Sequence, residues 1–461
     1  MIGLIFRAFN LIYNGPSGDE AIYVVVGQLG IFGGDWFFYN ASSWLSGSQF
    51  LYPSLSGIAY ALHGIWASRM LSVIAGTILT LLTYFITIEF SKTLKNKRIG
   101  ALVAASVVAT ATTALYVSRL ATMDAISYVV FFGSILLLQQ SLTKKAISGQ
   151  KFFVASLLLI LSSLIKSSVI FFYPLLLAYG IFATHGKSRG FFIKYYMVPL
   201  MFAASLYVLF NTSSLIYFSL LQAGREKSPI IQVVQVVWES IKYLLPLSLI
   251  SSIIAAFYVS IKKWLFLFLG ALWMILIHIA TLRVPTLDKH LLLSLVFIAV
   301  LTGIGTNVIL GVLKGRVRFV YVVLLVAYVL AFGAYSYKSL GHYNSLWTNS
   351  TVGNNVLAEQ VGKNDKVLTE TGPATVLTIF PKVDIENIST FDYLKYGIVE
   401  GEPAYKAAVK DGYFNYIELE SASLPKSDSV KAMHQLIIDS MDSNYDVIYK
   451  DTKITIYKRA F

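Results

Sequence analysis

Three short stretches concentrate the side chains that could do chemistry in this chain. PSGDEAIY places Asp19 beside Glu20, SRLATMDA sets Arg119 five residues before Asp124, and TLRVPTLDKHLLL packs Arg283, Asp288, Lys289 and His290 into eight positions. A carboxylate within hydrogen-bond reach of a hydroxyl can take its proton as that oxygen attacks. Arg and Lys hold anionic oxygens, Arg through a planar fork and Lys as a point charge, which suits Arg69, Arg283 and Lys289 to a phosphate. His290 can serve as a donor there or as a structural histidine at a boundary. Each stretch also has a plain structural account. Ser17 followed by Glu20 is the capping box S-x-x-E, and acidic residues in a first turn suit the helix dipole. Thr122 or Asp124 can open a helix, Arg119 can extend its charge to a membrane surface, and Lys166 can either do the same or contact a substrate head group. Both accounts stay open at this point.

The elements that must position these residues are membrane helices. Of 461 residues 56% are hydrophobic and only 13% charged, with a mean hydropathy of +0.67. Soluble domains carry about 25% charged residues. A net charge of +13 does not mark a nucleic-acid binder, because residues 1–338 hold 25 Lys/Arg against 8 Asp/Glu whereas residues 339–461 hold 12 against 16. The excess belongs to the apolar part, where loop cations set orientation. No cysteine is present, which removes disulfides, thiolate metal sites and a cysteine nucleophile. Met1–Tyr13 lacks a small-residue cleavage site, so no cleaved signal peptide is expected.

Apolar runs predict about eleven spans at ~1.5 Å per residue: 1–13, 66–90, 99–117, 124–141, 152–166, 168–184, 195–211, 244–261, 264–282, 290–311 and 318–338. The first is short for a core about 30 Å thick, so either its true start lies upstream or it is partly sheltered by its neighbours. Alternate loops are purely basic: Lys92, Lys95, Lys97 and Arg98; Lys144, Lys145 and Lys151; Lys187, Arg189 and Lys194; Lys262 and Lys263; Lys314, Arg316 and Arg318. These are assigned to the cytoplasm, and every Asp and Glu except Glu89 then falls on the other side. Glu226 and Glu239 are among them. Trp36, Phe37, Phe38, Tyr39 and Trp44 of the first outer loop read first as an interfacial belt.

Beyond about Trp347 the pattern changes. Strand-like Lys366–Glu370 and Tyr413–Leu419, a helix over Pro403–Asp411 stopped by Gly412, and a hairpin of Tyr445–Tyr449 with Ile454–Lys458 predict a small soluble α/β domain over 347–461, with 1–346 as the transmembrane catalytic domain.

DEAIY after a first span, GDWFFYN and LYPSL in a long first outer loop, SRLATMDA at the second and PTLDKHLLL entering a late span together resemble the GT-C glycosyltransferases. The likeness is to their protein O-mannosyltransferase and lipid A aminoarabinose transferase branch. It implies a polytopic helical fold with interfacial helices in the first outer loop, and a polyprenyl-phosphate-linked sugar as donor. It implies Asp19 as catalytic carboxylate, Glu20 as its partner acid, and Arg119 and Asp124 as the second-loop motif. Where relatives carry Lys-Pro-Pro this chain has Tyr52-Pro53-Ser54, and Lys289 takes that lysine's part. The acceptor is a hydroxyl of a lipid, glycan or protein, with membrane lipids around the site and no nucleic acid as partner. No cofactor is required; oxygen ligands at Asp19 and Asp124 suit Mg²⁺ or Mn²⁺, although no compact ligand motif demands a metal. The competing reading is a transporter or flippase of lipid-linked or anionic substrates, which predicts ionisable residues near mid-span and two related halves.

Overall fold

A computed structural model describes the chain except residues 1, 39–40, 42–44, 144–148, 225–226, 285, 393, 422–427 and 461. Tyr39, Trp44, Lys144, Lys145, Glu226 and Pro285, all singled out by sequence, lie outside the described residues. The helices of the apolar part, in order, are α1 (Ile2–Ala8), α2 (Gly18–Phe32), α3 (Tyr52–Phe90), α4 (Lys97–Thr110), α5 (Thr112–Val117), α6 (Met123–Thr143), α7 (Gly149–Ile165) and α8 (Tyr173–Ala183). They continue with α9 (Gly186–Phe192), α10 (Val198–Gly224), α11 (Ile230–Ile241), α12 (Leu245–Tyr258), α13 (Ile261–Thr281), α14 (Leu287–Val312) and α15 (Gly315–Tyr343).

Among the described residues six helical stretches are long and apolar enough to cross a membrane, or seven if α11 and α12, bent by 84°, form one broken span. The protein is a multi-pass membrane protein. The expected eleven spans therefore depend on shorter pieces such as α7 and the 3-10 turn Ser167–Phe172 with α8. Such pieces do not reach across ~30 Å individually. Two predicted limits also move: α3 begins fourteen residues before the expected 66, and helix runs from Gly186 to Leu220 where 195–211 was expected.

By internal contacts the chain forms two compact units. One comprises Met1–Leu11, Trp36–Tyr52 and Trp66–Tyr343; the other comprises Ile12–Asp35, Pro53–Ile65 and Asn344–Phe461. The division cuts α3 between Ile65 and Trp66, just past His63 and Gly64, whose backbone leaves the helical region, Gly64 at φ +61°. Glycine adopts positive φ without the Cβ clash, so the kink sits where the sequence permits one.

In the first unit α1 is seven residues long and contains a buried arginine, Arg7. Its guanidinium donates to the carbonyls of Val108 at 2.9 Å and Ala109 at 3.2 Å, at the end of α4. Those carbonyls have lost their helical partners, so the arginine both shelters the short helix and caps its neighbour. α6 and α7 lie close because small residues face each other. Ser127 and Ser162 exchange hydroxyl-to-carbonyl hydrogen bonds at 3.0 and 2.8 Å, and Ser134 donates to Ala155 O at 2.7 Å.

The second unit contains a sheet ordered β2-β1-β5-β7-β6. Its strands are β1 (Val367–Thr369), β2 (Ile388–Thr390), β5 (Tyr416–Glu420), β6 (Tyr445–Lys450) and β7 (Ile454–Arg459), with a two-residue ladder β3 (Lys395–Tyr396)–β4 (Val399–Glu400) beside it. β1 pairs in parallel with β2 and β5, and β7 runs antiparallel between β5 and β6. Helices cover both faces. α16 (Thr351–Gln360) and α17 (Pro373–Ile379) pack through Leu357 and Ile379 against Val367, Tyr416 and Ile456. α18 (Glu402–Lys410) and α19 (Asp428–Ser440) pack through Ala408, Val409 and Ile437 against Leu368 and Ile417. The predicted hairpin forms, and Gly412 takes the positive φ, +64°, that ends α18.

One buried acid stands out in this sheet. Glu418 on β5 is fully buried, its Oε2 accepting from Thr369 Oγ1 at 2.5 Å and from the Thr371 amide at 3.2 Å. Burial pushes its carboxyl up to about 7, overriding those hydrogen bonds, and the neighbouring Glu370 pushes the same way. The folded domain therefore holds a proton that the unfolded chain has released. The contribution of this group to stability is fully present below about pH 4.5, falls as pH rises through about 7, and is then lost, about 3 kcal/mol in all. Glu418→Gln is expected to flatten this slope. Exchange protection of β5 in the intact protein at pH 5 and pH 8, corrected for intrinsic exchange, measures it; an unchanged slope contradicts the assignment.

Candidate active site

In the membrane unit the second-loop acid is the centre of a buried cluster. Asp124 is the second residue of α6 and fully buried. Lys166 stands at the break where α7 ends and the chain turns into a 3-10 helix, its own backbone extended at φ −144°, ψ 115°. The close approach of α6 and α7 sets the two opposite each other. Lys166 Nζ lies 2.7 Å from Asp124 Oδ1, and Tyr128 OH, one turn along α6, donates to the same oxygen at 3.3 Å. Asp124 Oδ2 is buried with no hydrogen-bond partner among the described residues. The break is braced from the first loop: Ser48 N donates to Leu164 O at 2.6 Å and Ser167 N to Ser46 O at 2.7 Å. A Cβ on Gly47 would lie 2.1 Å from the Ile165 carbonyl oxygen, which is why a glycine is needed there. Lys166 does not snorkel to a membrane surface: it is buried and pairs with a carboxylate.

Lys289 and His290, in the first turn of α14, act electrostatically on Asp124. His290 is held by a residue that sequence reasoning passed over. His278, in the last turn of α13, faces the Arg283 carbonyl through Nδ1 at 2.7 Å and His290 Nδ1 through Nε2 at 2.9 Å. A carbonyl only accepts, so His278 Nδ1 carries a hydrogen, and a neutral His278 receives the hydrogen of His290 Nδ1. The one signal for His278 in the sequence is a lone imidazole ending an apolar span. The turn that joins these helices contains two non-glycine residues at positive φ, Leu282 at 52° and Thr286 at 70°. Such backbone costs about 1–3 kcal/mol per residue and persists where the surroundings dictate it. Asp288, next to Lys289, points elsewhere and accepts from Tyr343 OH at 3.4 Å.

Two arginines named by sequence are engaged with backbone. Arg119 donates to the carbonyls of Phe6, Arg7, Phe9 and Asn10 at 2.6–3.2 Å, all at the frayed end of α1. Arg69, fully buried, donates to Leu11 O at 2.8 Å. Arg283 offers its carbonyl to His278. The other end of the bundle carries Glu89, which pairs with Lys92 at 3.1 Å and accepts from Thr143, the last residue of α6. Asp124 and Glu89 thus sit at opposite ends of a 21-residue helix, about 30 Å apart along its axis.

The first-loop acids belong to the other unit. The capping box anticipated from S-x-x-E forms in full: Ser17 Oγ accepts from Glu20 N at 3.4 Å, and Glu20 Oε2 accepts from Ser17 N at 2.9 Å. Glu20 is buried, whereas Asp19 is exposed in the same first turn. The two carboxylates are therefore unequal, because the cap uses the second. α2 then lies against the first part of α3. Gln28 Nε2 donates to Gly57 O at 2.6 Å, and a Cβ on Gly27 would fall 1.9 Å from Pro53 O. Its other neighbour is α17 of the tail. Among the described residues no group of three His, Asp or Glu side chains is placed to hold a metal ion.

No protein-family model and no curated protein matches the chain. Solved structures do. Over 99% of this chain and 96% of the other, it is similar to ArnT, the lipid A aminoarabinose transferase, from Cupriavidus metallidurans bound to undecaprenyl phosphate, at TM-score 0.65 and 11% identity. It is similar to the Archaeoglobus fulgidus oligosaccharyltransferase tethered with an acceptor peptide, at TM-score 0.60 and 10% identity, over 100% of this chain and 73% of that one. A third likeness, to the arabinofuranosyltransferase AftD from Mycobacteria, has TM-score 0.57 and 10% identity and covers 99% of this chain but 41% of AftD. At these identities the likeness is one of fold, and the fold is the one seen in GT-C glycosyltransferases.

Proposed function

We propose that the protein is an inverting glycosyltransferase that moves a sugar from a polyprenyl-phosphate donor to an acceptor hydroxyl on the extracytoplasmic side of the membrane. The observation that carries this reading is the likeness in fold to ArnT along nearly the full length of both chains, that structure having undecaprenyl phosphate bound. The arrangement of side chains supports it. A lipid phosphate is already a good leaving group, so the reaction needs its charge held more than it needs an acid. Lys166 and Lys289 set two cations about the single carboxylate of Asp124, which favours a further anion, and His290 stands beside them as a hydrogen-bonding imidazole. Arg283 belongs to the same turn. Arg119 and Arg69 instead hold the end of α1 and the chain that follows it, through backbone carbonyls.

Asp19 is assigned as the general base because it is exposed and its neighbour Glu20 forms the cap. A single in-line displacement by an external hydroxyl inverts the anomeric centre, whereas retention would require a nucleophilic second carboxylate. A divalent ion at Asp124 would have to share the carboxylate with the Lys166 ammonium through Oδ2; turnover after chelation tests that. In this reading the tail, residues 347–461, lies outside the cytoplasm with the catalytic face.

Incubating the purified protein with a panel of lipid-phosphate sugars and candidate acceptors, with products analysed by mass, tests the reading. Transfer with inversion is the expected result. Solute or lipid translocation in vesicles without any sugar transfer overturns it in favour of a transporter or flippase.

A further inference from the structure

We propose that the segment Asn344–Thr351, where the tail begins, is a positioning device for Asp19, with Trp347 and Asn14 as its principal positioning residues. The inference rests on the assignment of Asp19 as base and names what aims it. Asn14 is 7% exposed, and its Nδ2 donates to two carbonyls of this segment, Asn344 O at 2.9 Å and Trp347 O at 3.1 Å. The Trp347 indole returns a bond, Nε1 donating to Gly15 O at 3.0 Å, while its ring meets Tyr13 edge-on. The Gly15 amide is shared between Asn14 Oδ1 at 2.8 Å and Asn349 Oδ1 at 3.3 Å. Every polar backbone atom of Gly15 is thereby held, across more than 330 positions of sequence. A Cβ there would lie 2.5 Å from Thr351 Oγ1 and 2.9 Å from Asn349 Oδ1, so a larger residue would displace side chains of this segment.

Only three residues separate this clamp from Asp19, and none of them is slack. Pro16 has a fixed φ. Ser17 is extended at φ −71°, ψ 163° and locked by the capping box, and Gly18 already belongs to α2. A displacement at Gly15 is therefore passed to Asp19 with little loss. Farther along, α17 packs on α2, so the tail fixes the helix at its start and along its side. A base misplaced by about 1 Å can cost on the order of a hundredfold in rate, which gives this strap leverage on the reaction without touching substrate.

The test uses the full-length protein in nanodiscs with three variants. Trp347→Phe keeps a ring beside Tyr13 and deletes the indole donor, Asn14→Asp sets a carboxylate against two carbonyls, and Asn349→Ala deletes one acceptor of the Gly15 amide. Expected are a drop of about tenfold or more in exchange protection over residues 17–25, unchanged protection of β1 and β5, and kcat lowered roughly ten- to a hundredfold. Affinity for the probe lipid, undecaprenyl phosphate, is expected to stay within about twofold, since the clamp holds the base and not the phosphate. Unchanged protection of α2 with unchanged kcat overturns the proposal. So does loss of protection throughout the tail in all three variants, which assigns these bonds to tail stability alone. Full transfer by Asp19→Asn would instead overturn the functional reading, and it is a separate measurement.

Discussion

Asp19→Asn is expected to abolish sugar transfer while leaving the protein folded and its affinity for lipid phosphate intact. Removing a general base costs about 10²–10⁴ in rate. The fold survives because Asp19 makes no contribution to the capping box, whose acid is Glu20. Losing a charge near the positive end of a helix costs about 0.3–1 kcal/mol. Glu20→Gln provides the contrast. Gln serves in a capping box as Glu does, so this variant is expected to keep α2 and to retain far more turnover than Asp19→Asn. Turnover by product mass and melting of the intact protein, measured on both variants, decide the matter. Full activity of Asp19→Asn overturns the assignment, and equal losses in the two variants would assign the chemistry to the pair as a unit.

The second large effect is expected at the buried ion pair. Lys166→Met leaves Asp124 charged and buried without its ammonium, and removing one partner of such a pair costs about 3–5 kcal/mol. The double replacement Asp124→Asn with Lys166→Met removes both charges and is expected to recover most of that loss, since paired buried charges contribute little net stability over well-packed neutral groups. Activity should follow a different course. Both the single and the double variant lack the Lys166 cation, so lipid-phosphate affinity is expected to fall in both while stability returns only in one. A double-mutant cycle in thermal stability, run beside a binding titration with undecaprenyl phosphate, separates the two roles. Additive stability changes would show that the 2.7 Å contact carries no coupling, and unchanged affinity would remove Lys166 from the phosphate site.

Much of this was legible before any coordinates. Ser17 and Glu20 announced a capping box and one forms, because a cap is a contact between residues three apart and needs nothing beyond the local chain. The same holds for Gly412 ending α18 and for the β6–β7 hairpin. Segregated charges placed Asp124 and Glu89 at opposite ends of a span, and α6 does so. Span limits were less legible. Hydropathy registers apolar length and is blind to a bend, so it missed the kink at Gly64 and the 84° break between α11 and α12. It also expected a first span out to residue 13, where the helix stops at Ala8.

By itself, then, the sequence determined a multi-pass helical membrane protein with an α/β tail, its helix caps, and the residue types available for holding phosphate and moving a proton, all of which follow from local patterns of polarity and charge. Only the tertiary structure decided which of those residues meet. It gave Lys166 to Asp124 and His278 to His290, and it turned Arg119 and Arg69 inward to carbonyls. It joined Gly15 to Trp347 across 332 positions. The reason is physical: a buried charge or an unpaired backbone group must find a partner wherever packing brings one within about 3 Å, and packing is a property of the whole chain.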